Sequence, residues 1–334
     1  MGQWYLSFLD VARAQEYSQG AGVVIGLIDT GADSTHPDLV GGLLPGAATF
    51  PGATGDGGTD IDGHGTRMAG LIVGRGHGAD RSLGVLGIAP KAMVLPVRAG
   101  AGFGMSGFVP GIQWATEHGA RVISISQGFP DDDRSQRQAI EDAIAHDIVV
   151  VAGVGNTPST TVQYPAAYPG VLAVAGIDEN GNHGSFSVAG SGVMLAAPGA
   201  NILSTGLNHG YGYATGTSDS TAIVAGAAAL VRARFPKLSA VEVIHRLTAT
   251  AIDKGPPGRD NLYGYGIVNL VGALTADVPP GSSSPSPVAT DSASPGAEHG
   301  KVSAARTWLI IGLGVLAVVI AISLAFAYRR RSRG

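Results

Sequence analysis

A chain of 334 residues, 45% hydrophobic and only 14% charged, has enough apolar material to bury a large core. It contains no cysteine, which excludes disulfides, a thiol nucleophile and a cysteine-held zinc ion. The net charge is −4, and four arginines are gathered in the last six residues, so the rest of the chain offers no basic face to nucleic acid.

In chain order, apolar runs predict strands at VVIGLI before Asp29, AMVLPV (92–97), RVISIS (121–126), IVVVAG (148–153), VLAVAG (171–176) and VMLAA (193–197). Helical stretches fall between and after them at 64–74, 107–118, 134–146, 218–234 and 239–250. The strand runs are apolar on both faces, as parallel strands covered by helices must be. The pattern therefore predicts an α/β fold in three layers. The 52 glycines and abundant alanine fit tight turns and close helix packing.

Residues 1–276 carry this alternation. Residues 277–307 are rich in Ser and Pro and lack the large apolar side chains of a core, so they read as a disordered linker with its ends roughly 30 Å apart. Residues 308–328, WLIIGLGVLAVVIAISLAFAY, hold no charge; as a helix they would extend about 31 Å, against a hydrocarbon core of about 30 Å. They read as a transmembrane helix with an aromatic residue at each end. Arg329, Arg330, Arg331 and Arg333 in the tail (329–334) outnumber Lys301 and Arg306 on the other side, placing the tail in the cytoplasm and the large domain outside. The opening MGQWYLSFLDVARA has no basic region followed by an apolar stretch, so either an export signal is missing from the sequence or the topology is inverted, and the first is the favoured reading.

Chemistry-bearing residues stand in three glycine-flanked segments: GLIDTG around Asp29, DGHGTRMAG around His64 and GTSDSTAIVAG around Ser218. Asp29 ends a predicted strand, while His64 and Ser218 open predicted helices; reactive groups of α/β folds collect at such ends. A serine hydroxyl becomes a useful nucleophile when a base takes its proton and a carboxylate orients that base. Taken singly, Asp29 reads equally well as a buried structural aspartate, His64 as a surface histidine and the GTS triplet as a helix cap. The glycine-rich GRGHGAD invites a nucleotide-binding reading, but no GxGxxG follows the first strand and no GxxxxGK[ST] or HExxH occurs. No cofactor is called for and no metal site can be placed.

The order Asp, His, Ser, together with VVVAGVGNTPS around Asn156, resembles the subtilisin-like serine proteases, or subtilases. The resemblance spans about Trp4 to Leu274 and implies a three-layer α/β/α subtilisin-like fold with a mainly parallel central sheet. It implies a serine endopeptidase acting on proteins or peptides through an acyl-enzyme. Ser218 would be the nucleophile, His64 its base and Asp29 the residue that holds and stabilises the imidazolium. Asn156 would donate to the oxyanion with the Ser218 N–H, although a plain turn residue fits the same position. Ser126, Gln127 and Gly128 would pair with substrate backbone. Gly153, Val154 and Gly155 would line the primary specificity pocket, with Gln163 narrowing its floor against large side chains. Asp62 is placed to attract a basic substrate side chain, though a solvated loop carboxylate is the commoner case.

Three positions depart from the family pattern. Asp219 follows the serine directly, Ala222 replaces a proline, and Arg67 stands where a small residue or histidine is usual. A carboxylate at Asp219 opposes oxyanion formation unless it points to solvent. The domain, linker, membrane helix and basic tail together resemble the mycosins. That likeness implies cleavage of exported proteins and a link to a type VII secretion membrane complex. The alternative is a catalytically weak scaffold subunit of such a complex, motivated by Asp219. Activity is expected to rise as His64 loses its proton, near its ordinary ~6.5 as shifted by its neighbours.

Overall fold

The apolar runs lie side by side in one sheet, in a computed structural model that describes residues 2–100 and 105–279. The strands are β1 (Val24–Asp29), β2 (Ala47–Ala48), β3 (Arg75–His77), β4 (Leu83–Leu86), β5 (Met93–Arg98), β6 (Val122–Ile125), β7 (Val149–Gly153), β8 (Leu172–Ile177), β9 (Leu195–Pro198), β10 (Ile202–Thr205) and β11 (Tyr211–Ala214). The helices are α1 (Trp4–Phe8), α2 (Val11–Tyr17), α3 (His64–Val73), α4 (Phe108–Glu117), α5 (Arg134–Ala145), α6 (Thr217–Arg234), α7 (Ala240–Ala249) and α8 (Leu270–Thr275). The main sheet runs β2-β5-β1-β6-β7-β8-β9, and every pairing in it is parallel.

Alternate side chains of each strand enter separate cores. Leu27, Val151 and Val174 face Leu71, Val224 and Leu230 of α3 and α6. Ile28, Val150 and Ile123 face Ile112 and Ile140 of α4 and α5. Both faces are thus covered, which explains strands that are apolar at nearly every position and yields the expected three layers.

Helix α6 is buried from Asp219 to Arg232, and its apolar residues run all round the axis, as a helix threaded through a core requires. Its small residues permit close neighbours. A Cβ on Gly226 would lie 2.7 Å from the Ile88 Cβ. The helix packs on β6 to β9 with one side and on α3 with another.

Strand order fixes where a site can form. After β1 the sheet grows outward through β5 on one side and through β6 to β9 on the other, so it reverses between β1 and β6. The crevice at the carboxyl ends of those two strands is where open α/β sheets bind ligands. Asp29 ends β1, and Ser126 follows β6 directly.

Beyond the elements expected from the sequence, the structure adds α1, α2, α8, the edge strand β2 and the antiparallel hairpins β3–β4 and β10–β11. These elements are short, and β11 exposes Tyr211 and Tyr213, so neither helical period nor a buried run marks them. Nearly all of the predicted linker (277–307) and the whole of segment 308–328 lie outside the described residues. Among the described residues no helix is long and apolar enough to cross a membrane.

Candidate active site

Asp29 and His64 are brought together by a tight crossing of backbone. The Asp29 carboxylate is fully buried; its Oδ1 accepts from His64 Nδ1 at 2.8 Å and from Thr30 N at 2.8 Å. Helix α3 reaches this loop because Gly65 has no side chain: a Cβ there would lie 1.9 Å from the Gly31 carbonyl oxygen. Gly63, just before the helix, has φ +97°, a conformation other residues adopt at a cost.

Asp60 fixes the same helix end and was not singled out in the sequence. Its Oδ1 accepts from Thr30 Oγ1 at 2.9 Å, Asp62 N at 3.0 Å and Gly63 N at 2.9 Å. Its Oδ2 accepts from Thr66 N at 2.9 Å and Thr66 Oγ1 at 2.7 Å. A carboxylate four residues before His64 and six before a threonine was the available signal, since acids gather at helix N-termini.

The His64 imidazole is pushed up to about 9, first by the negative charge of Asp29, which outweighs desolvation; the hydrogen bond and the charges of Asp219 and Asp62 add to it. The expectation of a base titrating near its ordinary value is corrected by these neighbours, all of which favour imidazolium.

Ser218 is the second residue of α6. Its Oγ donates to the Ser126 carbonyl at 3.3 Å and does not hydrogen-bond His64. Contacts of this kind are often looser in the absence of substrate. Asn156, exposed just beyond β7, accepts through Oδ1 from Thr217 N at 3.0 Å. That bond orients the amide and leaves Nδ2 as its open donor at the N-terminus of α6, where the helix dipole favours negative charge.

The predicted recognition residues divide. Ser126, Gln127 and Gly128 leave β6 partly exposed. Gly155 is buried, and the Gln163 side chain fills the space between it and Gly128: a Cβ on either glycine would meet Gln163 Oε1, at 2.5 Å and 2.2 Å respectively. Val154 points into the core, and Gly153 lies against Thr217 and Thr221 of α6.

Asp219 points neither into the crevice nor into solvent. It is buried, and Arg67 Nε donates to its Oδ1 at 2.8 Å. Burial raises the Asp219 carboxyl above its ordinary range, while the Arg67 guanidinium opposes the rise. A cleft of about 350 Å³ opens between the start of α3 and the β10–β11 hairpin, lined by Asp62, Gly63, Arg67, Leu207 and Tyr211 among others.

A parallel α/β/α sheet with a buried aspartate paired to a histidine at one strand end and a serine at the mouth of a buried helix has the layout of a serine hydrolase. The profile of the subtilase family matches residues 20–266. Subtilisin DY of Bacillus licheniformis is 39% identical over 271 residues, covering 79% of this chain and 94% of its own. Subtilisin BL of Lederbergia lenta is 39% identical over 259 residues, covering 76% and 91%. Among solved structures, MycP1 with its N-terminal propeptide removed superposes with a TM-score of 0.75 at 34% identity, covering 83% of this chain and 98% of that one. MycP3 protease from the type VII (ESX-3) secretion system gives 0.71 at 33% identity, covering 82% and 88%. The chain belongs to the subtilase family and is a serine endopeptidase.

Proposed function

We propose that this protein cleaves exported proteins at the outer face of a membrane as part of a type VII secretion assembly, with Ser218 as nucleophile, His64 as its base and Asp29 as the residue that orients and stabilises the imidazolium. The observation that carries this reading is the 2.8 Å contact between His64 Nδ1 and the buried Asp29 carboxylate. That contact leaves Nε2 as the nitrogen available to serine. Ser218 attacks the scissile carbonyl and His64 takes its proton; the oxyanion is met by Asn156 Nδ2 and the Ser218 N–H, and His64 then protonates the leaving amine.

The secretion context draws on the likeness to MycP1, described as an essential component of the type VII (ESX-1) secretion system. Membrane anchoring draws on the uncharged segment 308–328, with the domain at 1–276, linker at 277–307 and basic tail at 329–334. The scaffold alternative loses its motive, because Asp219 is turned away and paired with Arg67.

Cleavage of a mixed peptide library by the protein and by Ser218→Ala tests the reading. The wild type is expected to cut internal peptide bonds and the variant to be slower by several orders of magnitude. Equal rates would overturn it. For the secretion role, deletion of the chain from its host is expected to stop export through the associated system, and export that continues unchanged contradicts it.

A further inference from the structure

The two charged departures from the family pattern are partners. Arg67 stands three residues after His64 on α3, and Asp219 stands directly after Ser218 on α6. Arg67 Nε donates to Asp219 Oδ1 at 2.8 Å, and Nη2 lies at the same distance from that oxygen. The rest of the guanidinium is committed to backbone: Nη1 donates to the Gly212 carbonyl of β11 at 2.8 Å, and Nη2 to the Ile202 carbonyl of β10. Two further bonds tie β10 to α3, from Ser204 Oγ to the Arg67 carbonyl at 2.8 Å and from Thr205 Oγ1 to the Thr66 carbonyl at 2.7 Å. Arg67 is 8% exposed and Asp219 2%.

Resting on the serine-peptidase reading, we infer that the Arg67–Asp219 pair is a positioning device that sets the register of α3 against α6, hence of His64 against Ser218, and pins the β10–β11 hairpin that walls the cleft at the start of α3. The side chains of α3 and α6 that bear the reacting groups sit three residues and one residue from the pair, so a slip of either helix is felt at both. Planarity of the guanidinium matters. Its fixed fork donates at once to Asp219 of α6 and to a carbonyl of each hairpin strand, which a lysine ammonium on a flexible stem does not match.

The pair also bears on His64 electrostatically. The charged and titratable groups facing Asp219 are Arg67 and His64 of α3, with the buried Tyr5 of α1 beneath. Removing the Asp219 charge takes away one of the groups that favour imidazolium.

The test compares the wild type with Asp219→Asn, Arg67→Lys and the double variant Arg67→Met/Asp219→Leu. Three readouts are used: the unfolding midpoint, kcat and KM on one peptide, and the His64 imidazole titration followed by NMR. A buried ion pair exchanged for two apolar side chains usually keeps the fold. The folded double variant is expected to lose at least ~10-fold in kcat with KM within ~3-fold, because binding survives and alignment does not. Arg67→Lys should recover only part of this. In Asp219→Asn the His64 titration should move to lower pH.

A folded double variant with wild-type kcat, or an unmoved His64 titration in Asp219→Asn, overturns the proposal. If the double variant does not fold, the near-isosteric Asp219→Asn decides alone. A wild type without Ser218-dependent cleavage defeats the peptidase reading instead, and the NMR titration then still decides whether the pair is coupled to His64.

Discussion

His64 donates through Nδ1 to Oδ1 of Asp29 at 2.8 Å, and the carboxylate that accepts is fully buried while the ring is about one-third exposed. Because the partner charge raises His64 to about 9, the neutral imidazole that must act as base becomes the majority form only in alkaline solution. kcat/KM is therefore expected to climb through pH 7 to 9, with its acid limb well above the ordinary ~6.5 of histidine. A steady-state pH profile checks this, and a limb centred near 6 contradicts it.

The same pair links stability to pH. The folded-state value of His64 lies above its unfolded one, so its contribution is complete below ~6.5 and is lost as pH rises through about 9. Thermal unfolding midpoints should decline over that window in the wild type and decline less in Asp29→Asn. In the same variant kcat is expected to fall by about 10⁴-fold, because the imidazole loses both its tautomer and its counter-charge.

Asn156 presents Nδ2 at the α6 N-terminus while Thr217 N holds its oxygen. Asn156→Leu should lower kcat by about 10²- to 10³-fold and leave KM nearly unchanged, because the donor is needed only once the oxyanion develops. A change confined to KM would assign Asn156 to substrate binding.

Gln163 fills the space between Gly128 and Gly155. Peptides with alanine before the scissile bond should therefore be preferred to those with phenylalanine or leucine. Gln163→Gly should reverse that order, improving kcat/KM for phenylalanine at least ~10-fold, the scale expected when a hydrophobic pocket gains room. Matched peptide series measure this; an unchanged order would place the specificity pocket elsewhere.

Asp60 satisfies the exposed end of α3 with five hydrogen bonds from Thr30, Asp62, Gly63 and Thr66. Asp60→Ala should cost about 2 kcal/mol or more, the upper range of a lost helix cap, since buried donors are left unpaired as well. Urea unfolding gives the value. Activity should fall with it, because His64 is the first residue of the helix so anchored.

The parts of the fold that could be read from sequence are those with a strong period or an unbroken apolar run. VVVAG becomes β7 and LAVAGI becomes β8, each buried throughout, and the helix predicted at 218–234 begins one residue earlier. The positions of Asp29 and His64 were also legible, because glycines mark where backbones cross and both residues end or open an element. What the sequence did not disclose depends on distant partners. Asp219 looked like a liability because its countercharge, Arg67, lies 152 residues away. Asp60 stands in a loop without a motif of its own, and the hairpin β10–β11, with four residues in each strand, is too short to leave a period.

Whether His64 activates Ser218 is read most directly from labelling by a serine-directed phosphonate, with the modified residue located by mass spectrometry. A single adduct on Ser218 is expected, forming faster as pH rises towards 9, and nearly abolished in His64→Ala. An adduct elsewhere, or labelling of Ser218 that His64→Ala leaves unchanged, would contradict it.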